Sequence, residues 1–498
     1  ADRGGSGILV KKVKGGGTDV PFVTQPTQKT SDQGSFADPQ GTDEAEDHPG
    51  TGLACKTCTK LHHLFFVADA HSGIVSCQSV GRVEFFKEAP LLKGNRGVGD
   101  LGTKGEVLMP RYVQMGQVPP KRHVRFRKPD GGLYYEQVIG VHGFSGMESI
   151  TYHINMPTRV AHWELKGSVP LNFLEADPLR HRHLKTRLLK PCGDPVSGRV
   201  PLLGNADVIW QQVNAIDQMD YFFKNADGDE LVFVHDGSGV LETMFGYIPY
   251  RPGDYLVIPR GTIYRLKMDT TPQRMIVIQA HSHIEIPKRY RNEYGQLLEH
   301  APYCERDIRP PSELHTFDEK GEFKVLVRAR NCHTEYLYDY HPFDVVGWDG
   351  YVYPWAFNIS DFQPIVGTLH MPPPIHQTFQ GQNFVVCSFC PRPLDFHPEA
   401  VPVPYVHSNV DSDEVLYYVN GKFGSRKGIE EGSITLHPLG IPHGPQPGVV
   451  EASLGATRTE EMAVMMDTFH PLKLTREALE IEDPTYWQSW KAQPTTGK

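Results

Sequence analysis

Short apolar runs follow one another along the chain from Tyr112 to about Met465. They are rich in Val, Ile, Tyr and Phe, and Gly, Pro, Asn or Asp interrupts them about every eight to twelve residues. This spacing predicts an all-β protein built as a sandwich or a barrel. Helical patterns are few, and residues 475–481 and 486–490 predict short helices on the outside.

The pattern also repeats within the chain. Residues 223–237 align without a gap with residues 407–421, and one Asn, two Asp, one Glu and one Gly recur at matching positions. Farther on, residues 253–264 run parallel to residues 432–443. Two such blocks in the same order predict a duplicated domain.

Composition divides the chain into three parts. Residues 1–107 are rich in Gly, Thr, Asp and Lys without a sustained period, so we expect a poorly structured leader or extension. The first methionine is Met109, and our hypothesis is that native translation starts close to it. Leader peptides in a mass spectrum of the native protein would refute this. The two predicted domains then comprise residues 109–300 and residues 301–498.

The overall charge narrows the range of partners. The 498 residues carry a net charge of −9, whereas a general nucleic-acid binder needs a basic face. No apolar run has the length needed to cross a bilayer, and the beginning of the chain lacks the order of a secretory signal. We therefore expect a cytoplasmic protein whose partners are small molecules, with no role for nucleic acid or membrane.

The eight cysteines include two C-x-x-C pairs, Cys55/Cys58 and Cys387/Cys390, a spacing found in zinc and redox sites. The second pair lies in an apolar, strand-like run, where a thiol usually acts as a small apolar side chain. We therefore expect free thiols in a reducing compartment.

Three residues have the spacing of a metal site. His407 and Asn409 are two apart, so on a strand their side chains share a face. Glu414 begins the returning strand after a turn-prone Asp-Ser-Asp, and His443 follows the turn at Gly440. Two imidazoles and one carboxylate on one side of a metal leave adjacent positions open, as in non-haem Fe(II) oxygenases. Zn, Mn and Ni remain alternatives.

These stretches resemble the two motifs of the cupin superfamily, H-x-[HN]-x(3,4)-E-x(6)-G and G-x(5)-P-x-G-x(2)-H, and the C-terminal copy fits both. The resemblance implies two jelly-roll barrels with a few short peripheral helices. In the N-terminal copy, Phe223 and Tyr264 stand at the histidine positions, and Glu230 alone would not hold an ion. We expect that copy to be a scaffold or an oligomer contact.

A closer resemblance covers residues 109–465, which look like the homogentisate 1,2-dioxygenase family in a short form. It rests on the stretches at residues 114–123, 342–348, 353–354, 357–358, 404–409 and 436–445.

The resemblance to this family implies Fe(II) bound by His407, Glu414 and His443. It also implies that His370 is the catalytic base, that Tyr405 and His437 act in catalysis and, with His443, in substrate binding, and that the chain forms a trimer or hexamer. From the residues alone, His437 lies an even six positions before His443 and shares its face.

Other histidines carry no such signal. Without the resemblance, His370, His376 and His397 would be assigned to the surface. One position departs from the family, because Phe423 stands where a substrate-contacting Tyr is found in long-form enzymes. Arg426 is close in sequence and could supply a charge-assisted contact instead.

We therefore expect an Fe(II)- and O₂-dependent dioxygenase that converts homogentisate to maleylacetoacetate in tyrosine and phenylalanine catabolism. The alternatives are the same chemistry on gentisate or another hydroquinone acid, a Zn or Mn isomerase or decarboxylase, and a non-catalytic bicupin for storage or sensing. An intact ligand set beside a degenerate copy disfavours the last, since storage would require neither copy to be intact.

Overall fold

The computed structural model describes residues 111–421, 423 and 428–491, together with the backbone of two short strands farther upstream. The chain separates into two compact units, residues 1–100 and 101–498. In the first unit, strands β1 (Phe66–Ala68) and β2 (Val75–Cys77) pair antiparallel. The remainder of the predicted leader, with Met109 and the pair Cys55/Cys58, lies outside the described residues.

The second unit consists mainly of strands. Those of its first half are β3 (Val113–Gly116), β4 (Tyr135–Gly140), β5 (Glu148–His153), β6 (His162–Ser168), β7 (Arg182–Lys185), β8 (Arg199–Gly204), β9 (Val208–Ala215), β10 (Phe222–Asn225), β11 (Asp229–Asp236), β12 (Gly239–Thr243), β13 (Gly246–Tyr250), β14 (Asp254–Ile258), β15 (Ile263–Met268) and β16 (Gln273–Ala280). Those of its second half are β17 (Ile308–Arg309), β18 (Lys320–Ala329), β19 (Cys332–Tyr340), β20 (Val345–Gly350), β21 (Trp355–Asn358), β22 (Gln377–Gly381), β23 (Phe384–Phe389), β24 (Arg392–Pro393), β25 (Asp413–Asn420), β26 (Ser433–His437), β27 (Arg458–Thr459), β28 (Met462–Thr468) and β29 (Lys473–Leu474).

Helices are few and short. The α-helices are α1 (Val449–Ser453) and α2 (Arg476–Glu480), and the 3-10 turns are Thr186–Leu188, Lys288–Tyr290, Glu305–Asp307, Ile359–Asp361, Pro373–His376 and Tyr486–Trp490. The side chain of Thr475 caps α2 by accepting a hydrogen bond from the Ala478 N–H, so both predicted helical segments are confirmed. No helix in the described part of the chain is long and apolar enough to span a membrane.

The first barrel is formed by two large sheets. Their strand orders are β13-β12-β15-β10-β18-β19-β6 and β17-β21-β14-β11-β16-β9-β8-β29. Fully buried Val232, Leu256 and Val277 belong to the apolar cluster of this barrel. Four strands that follow residue 300 in sequence pair within these sheets, namely β17, β18, β19 and β21. The predicted domain boundary at residue 300 stays a prediction.

The second barrel is centred on a six-stranded sheet with the order β22-β23-β28-β25-β26-β7. Strand β7 comes from far upstream and pairs antiparallel with β26, with Thr435 opposite His183. A two-stranded sheet of β24 and β27 is also present. Together the two barrels confirm the predicted all-β, duplicated cupin fold with short peripheral helices.

The duplication extends to individual hydrogen bonds between a side chain and the backbone. Asp229 accepts hydrogen bonds from the N–H groups of Arg260 and Ile284, at 3.0 and 3.2 Å. At the matching position, Asp413 accepts from Leu439 and Leu472, at 2.8 and 2.6 Å. The Asp that recurs in both sequence repeats therefore fixes the same two loops at the mouth of each barrel.

Candidate metal centre

The three predicted ligands meet at the mouth of the second barrel. His407 and His443 lie directly opposite each other in an antiparallel bridge, joined by backbone hydrogen bonds of 2.9 and 2.8 Å. Glu414 is the second residue of β25, and its Oε2 lies 3.7 Å from Nε2 of both histidines. One ligand atom from each residue lies within 4.8 Å of the others, a spacing that could hold one metal ion.

The imidazoles are oriented as metal ligands should be. The Nδ1–H of His407 donates to the Tyr405 carbonyl at 3.1 Å, and the Nδ1–H of His443 donates to the Ile441 carbonyl at 3.3 Å. These bonds leave Nε2 of each ring for the metal. The Nε2 of His443 is buried without a hydrogen-bond partner in the described structure. Burial of an unpaired polar atom costs free energy, which coordination of a metal would recover. The donor set therefore fits a divalent transition metal.

His437 supports the carboxylate ligand from inside the barrel. It lies directly across from Glu414 in the sheet, and its Nδ1–H donates to Glu414 Oε1 at 2.6 Å. Its ring stacks on His443 at 5.0 Å, so the two imidazoles share the predicted inner face. Burial alone would raise the pKa of Glu414, but the hydrogen bond from His437 and the nearby imidazoles of His407 and His443 hold that pKa well below its usual range. The carboxylate is therefore ionised.

Tyr405 and His370 lie at the rim of the site. The Tyr405 ring lies 5.9 Å from the His407 ring and 5.0 Å from the His370 ring. Tyr405 is half exposed, and the imidazole of His370 lies 3.4 Å from the Asp395 carboxylate. The structure thus brings both residues to the solvent side of the ligand set. Arg426 lies outside the described residues.

An apolar wall continues the barrel interior beyond the ligands. Leu416 and Tyr418 follow Glu414 at two-residue steps on β25 and therefore point to the same face. They cluster with Met465 and with Phe423, whose ring packs edge-on against Tyr418 at 4.9 Å. Below, this group is called the apolar wall. It lines the barrel interior next to the ligand set with apolar side chains.

Sequence reasoning missed two residues beside the site. The His181 ring lies 5.9 Å from the ring of His437 and 6.3 Å from that of His443, and Trp490 packs on it at 4.5 Å. Only the alternating histidines around β7 hinted at His181, and nothing local tied them to a motif more than 200 residues away.

The second missed residue is Asp467, which lies directly across from Glu414 on β28. Burial, together with the negative charge of Glu414, raises the pKa of Asp467 well above its usual range. Its Oδ1 is buried and has no hydrogen-bond partner within the described ranges. A single acidic residue in the apolar run 462–468 was the available signal.

In the first barrel, an arginine lies at the place that corresponds to the metal. Phe223 and Tyr264 are opposite each other in the sheet, as His407 and His443 are in the second barrel. Arg199 Nη1 donates to Glu230 Oε1 at 2.5 Å, and Tyr264 donates to Glu230 Oε2 at 2.5 Å. A guanidinium cation thus neutralises this buried carboxylate.

Among the described residues, one other group has metal-like spacing, formed by His235, Asp236 and Glu431. Arg274 donates to both carboxylates, and His235 Nδ1 bonds to the Tyr417 hydroxyl at 2.7 Å. Because Asp236 and Glu431 are about half exposed and already paired with Arg274, we interpret this group as a salt-bridge network.

Two further expectations have clear outcomes. Cys387 and Cys390 are free and buried, and burial raises the pKa of both thiols, that of Cys390 to about 12. They therefore act as small apolar side chains, as predicted.

The surface assignment of His376 is wrong, because its ring is buried against Phe389 at 4.6 Å and burial lowers its pKa to about 3. His397 is exposed, as expected.

Comparison with known proteins gives a consistent result. The family models for the N-terminal and C-terminal domains of homogentisate 1,2-dioxygenase match residues 178–359 and 358–496. A Saccharolobus solfataricus protein, named as a dioxygenase without a substrate, is 44% identical over 384 residues, covering 76% of this chain and 98% of the relative. The homogentisate 1,2-dioxygenase of Nitrobacter hamburgensis is 27% identical over 296 residues, covering 54% of this chain and 63% of the relative.

Among solved structures, a cupin 2 conserved barrel domain protein from Leptotrichia buccalis aligns with 62% of this chain and 97% of its own. The identity is 11% and the TM-score is 0.24.

Proposed function

The chain belongs to the homogentisate 1,2-dioxygenase family, and we propose that it opens the ring of a 1,4-dihydroxylated aromatic acid with O₂, converting homogentisate to maleylacetoacetate. The observation that carries this proposal is the convergence of His407, Glu414 and His443 on one side of a single point. Fe(II) held by these three residues would supply Lewis-acid and redox chemistry toward the substrate and O₂. Both oxygen atoms enter the product as one ring carbon–carbon bond breaks.

The apolar wall supports an aromatic substrate. Leu416, Tyr418 and Met465 are buried and lie on the same inner face as Glu414, so a planar ring can pack against them beside the ligand set. Its hydroxyl groups would then point toward the ligand set formed by His407, Glu414 and His443. Apolar surroundings also keep water away from the reacting ring.

Side chains at the rim are suited to proton transfer and hydrogen-bond donation. We assign to His370 the removal of the proton from a ring hydroxyl, with Asp395 at 3.4 Å stabilising the imidazolium that results. Tyr405 and His437 are assigned as hydrogen-bond donors to substrate oxygens that gain negative charge, His437 in its doubly protonated form, in which Nδ1–H bonds to Glu414 and Nε2–H donates to the substrate. His437 has a further role, because its bond to Glu414 keeps that carboxylate in place.

The experiment that tests the proposal is O₂ uptake with homogentisate after anaerobic loading with Fe(II). We expect one O₂ consumed per substrate and a product whose mass is that of the substrate plus both oxygen atoms. Zn- and Mn-loaded protein serve as controls for the isomerase and decarboxylase alternatives. Turnover without O₂, or with Zn in place of iron, would contradict the dioxygenase assignment.

A second substrate is favoured by one observation, the phenylalanine at position 423. Its ring lies against Tyr418 and presents no hydroxyl group to a substrate carboxylate. Gentisate, which carries its carboxylate directly on the ring, is therefore the alternative. Comparing kcat/KM for homogentisate and gentisate in the native protein and in Phe423→Tyr decides between them. If homogentisate is the substrate, Phe423→Tyr should keep or raise kcat/KM for homogentisate.

The family resemblance also leads us to propose a homo-oligomer, either a trimer or a hexamer. Sedimentation velocity on the metal-loaded protein measures this directly. A single species with the mass of one chain would contradict it.

A further inference from the structure

The first barrel contains a cavity of about 310 Å³ at the mouth that corresponds to the metal site of the second. Part of its lining is apolar and includes Phe223 and Leu326. The rest is basic or polar and includes Arg199, Arg328 and His333. A volume of this size matches a small organic molecule rather than a few water molecules.

Two buried donors in the cavity wall lack partners. Arg328 is 2% exposed, and its Nε has no hydrogen-bond partner among the residues that the structure describes. Its nearest carboxylate, Asp227, is 3.9 Å away and already accepts the N–H groups of Arg330 and Asn331. Gln211 is 1% exposed, and its Nε2 is likewise unpartnered within that part of the chain. Burial of unpaired donors costs free energy, which a ligand with acceptor oxygens would remove.

Two guanidinium groups, those of Arg199 and Arg328, lie in the cavity wall. Arg199 is paired with Glu230, whose oxygens are taken by Arg199, Tyr264 and Asn225, so the positive charge that faces the cavity is that of Arg328, whose nearest carboxylate is 3.9 Å away. The effect is visible at His333, where burial and the charges of Arg328 and Arg199 lower the imidazole pKa to about 4. His333 is therefore neutral near pH 7, and the surroundings favour an anion.

We propose that this cavity is a second, non-catalytic binding site for a small organic carboxylate with a flat apolar body. The carboxylate accepts hydrogen bonds from Arg328 and Gln211, and the body packs against Phe223 and Leu326. The loss of the metal ligands in this copy then marks a change from metal binding to anion binding. The site is separate from the ligand set of the second barrel and does not depend on the reaction assigned there.

The test uses benzoate as the probe and calorimetric titration of the full-length protein. All titrations are made in the His443→Ala background, so that a metal in the second barrel cannot hold the probe. We expect saturable binding of one benzoate per chain. Gln211→Leu should weaken it about five- to tenfold, and Arg328→Met by tenfold or more, because each removes a donor to the carboxylate. Arg187→Met removes an exposed arginine elsewhere and should leave the affinity unchanged.

A crystal soaked with 4-bromobenzoate locates the probe independently. Bromine density next to Phe223 and Leu326 would support the site, and density only elsewhere would overturn it. No saturable binding, or equal affinity for Gln211→Leu and the Arg187→Met control, would also overturn it. If Arg328→Met fails to fold, the Gln211→Leu affinity and the bromine position decide the question.

Discussion

The guanidinium of Arg199 contacts the carboxylate of Glu230 at 2.5 Å, and Glu230 occupies in the first barrel the place that Glu414 holds in the second. Both carboxylates are buried, and each is matched by positive charge or by donors. In the second barrel, His407, His437 and His443 surround the carboxylate, whereas in the first Arg199 supplies the cation and Tyr264 and Asn225 donate further hydrogen bonds. The duplicated fold therefore keeps a buried carboxylate and changes what neutralises it.

Replacing Arg199 with Met should destabilise the protein by about 3–5 kcal/mol, because it leaves the Glu230 carboxylate buried without its cation. The double variant Arg199→Met/Glu230→Gln should recover part of this loss, since the buried charge is then removed as well. Urea denaturation of both variants measures the difference. Equal stability of the single and double variants would contradict this account.

His437→Gln should weaken metal retention about 10- to 100-fold without abolishing it, because the Glu414 ligand loses the donor that orients it. Competition with a chelator measures the affinity. An exposed histidine on β6, His162, provides the matched control as His162→Gln. Unchanged affinity in His437→Gln would show that the 2.6 Å hydrogen bond does not position the ligand.

His443→Ala removes one of the three proposed ligands and should abolish both metal retention and turnover. The remaining imidazole and carboxylate cannot hold the ion against buffer, so metal content after desalting should fall to less than about a tenth of the native value. Elemental analysis and O₂ uptake are measured on the same sample. Full activity in a metal-free His443→Ala protein would end the proposed function.

Stability should depend on pH through His341, a buried histidine stacked on Phe317 at 4.2 Å. Its Nδ1 accepts the Phe343 N–H, and burial together with the charge of Arg265 lowers its pKa from 6.5 to about 4. Between these two pH values His341 is protonated in the unfolded chain but neutral in the folded chain. The free energy of unfolding therefore decreases by about 3 kcal/mol from this group as pH falls from about 6.5 to 4.

His341→Gln cannot titrate and should lose less stability over the same range of pH. Urea denaturation at pH 7 and about pH 4.5 compares the two proteins. An identical loss in native protein and variant would show that His341 does not contribute. His162→Gln again serves as the control, because His162 is exposed in both states.

The candidate ligands could be found from sequence because the information is local. His407 and Glu414 are separated by one turn, and the face on which each side chain lies follows from two-residue alternation along the chain. The same alternation places His437 beside His443, and the aligned repeat identifies Phe223 and Tyr264 as their degenerate counterparts. Pattern and spacing alone were enough for these positions.

By itself, then, the sequence determined the all-β class, the duplication and the set of His407, Glu414 and His443, since each depends on short-range spacing. Only the tertiary structure decided that Arg199 neutralises Glu230, that His181 and Asp467 border the ligand set, and that His376 is buried. These contacts join strands from distant parts of the chain. Their partners depend on sheet order and on barrel closure, which no local pattern encodes.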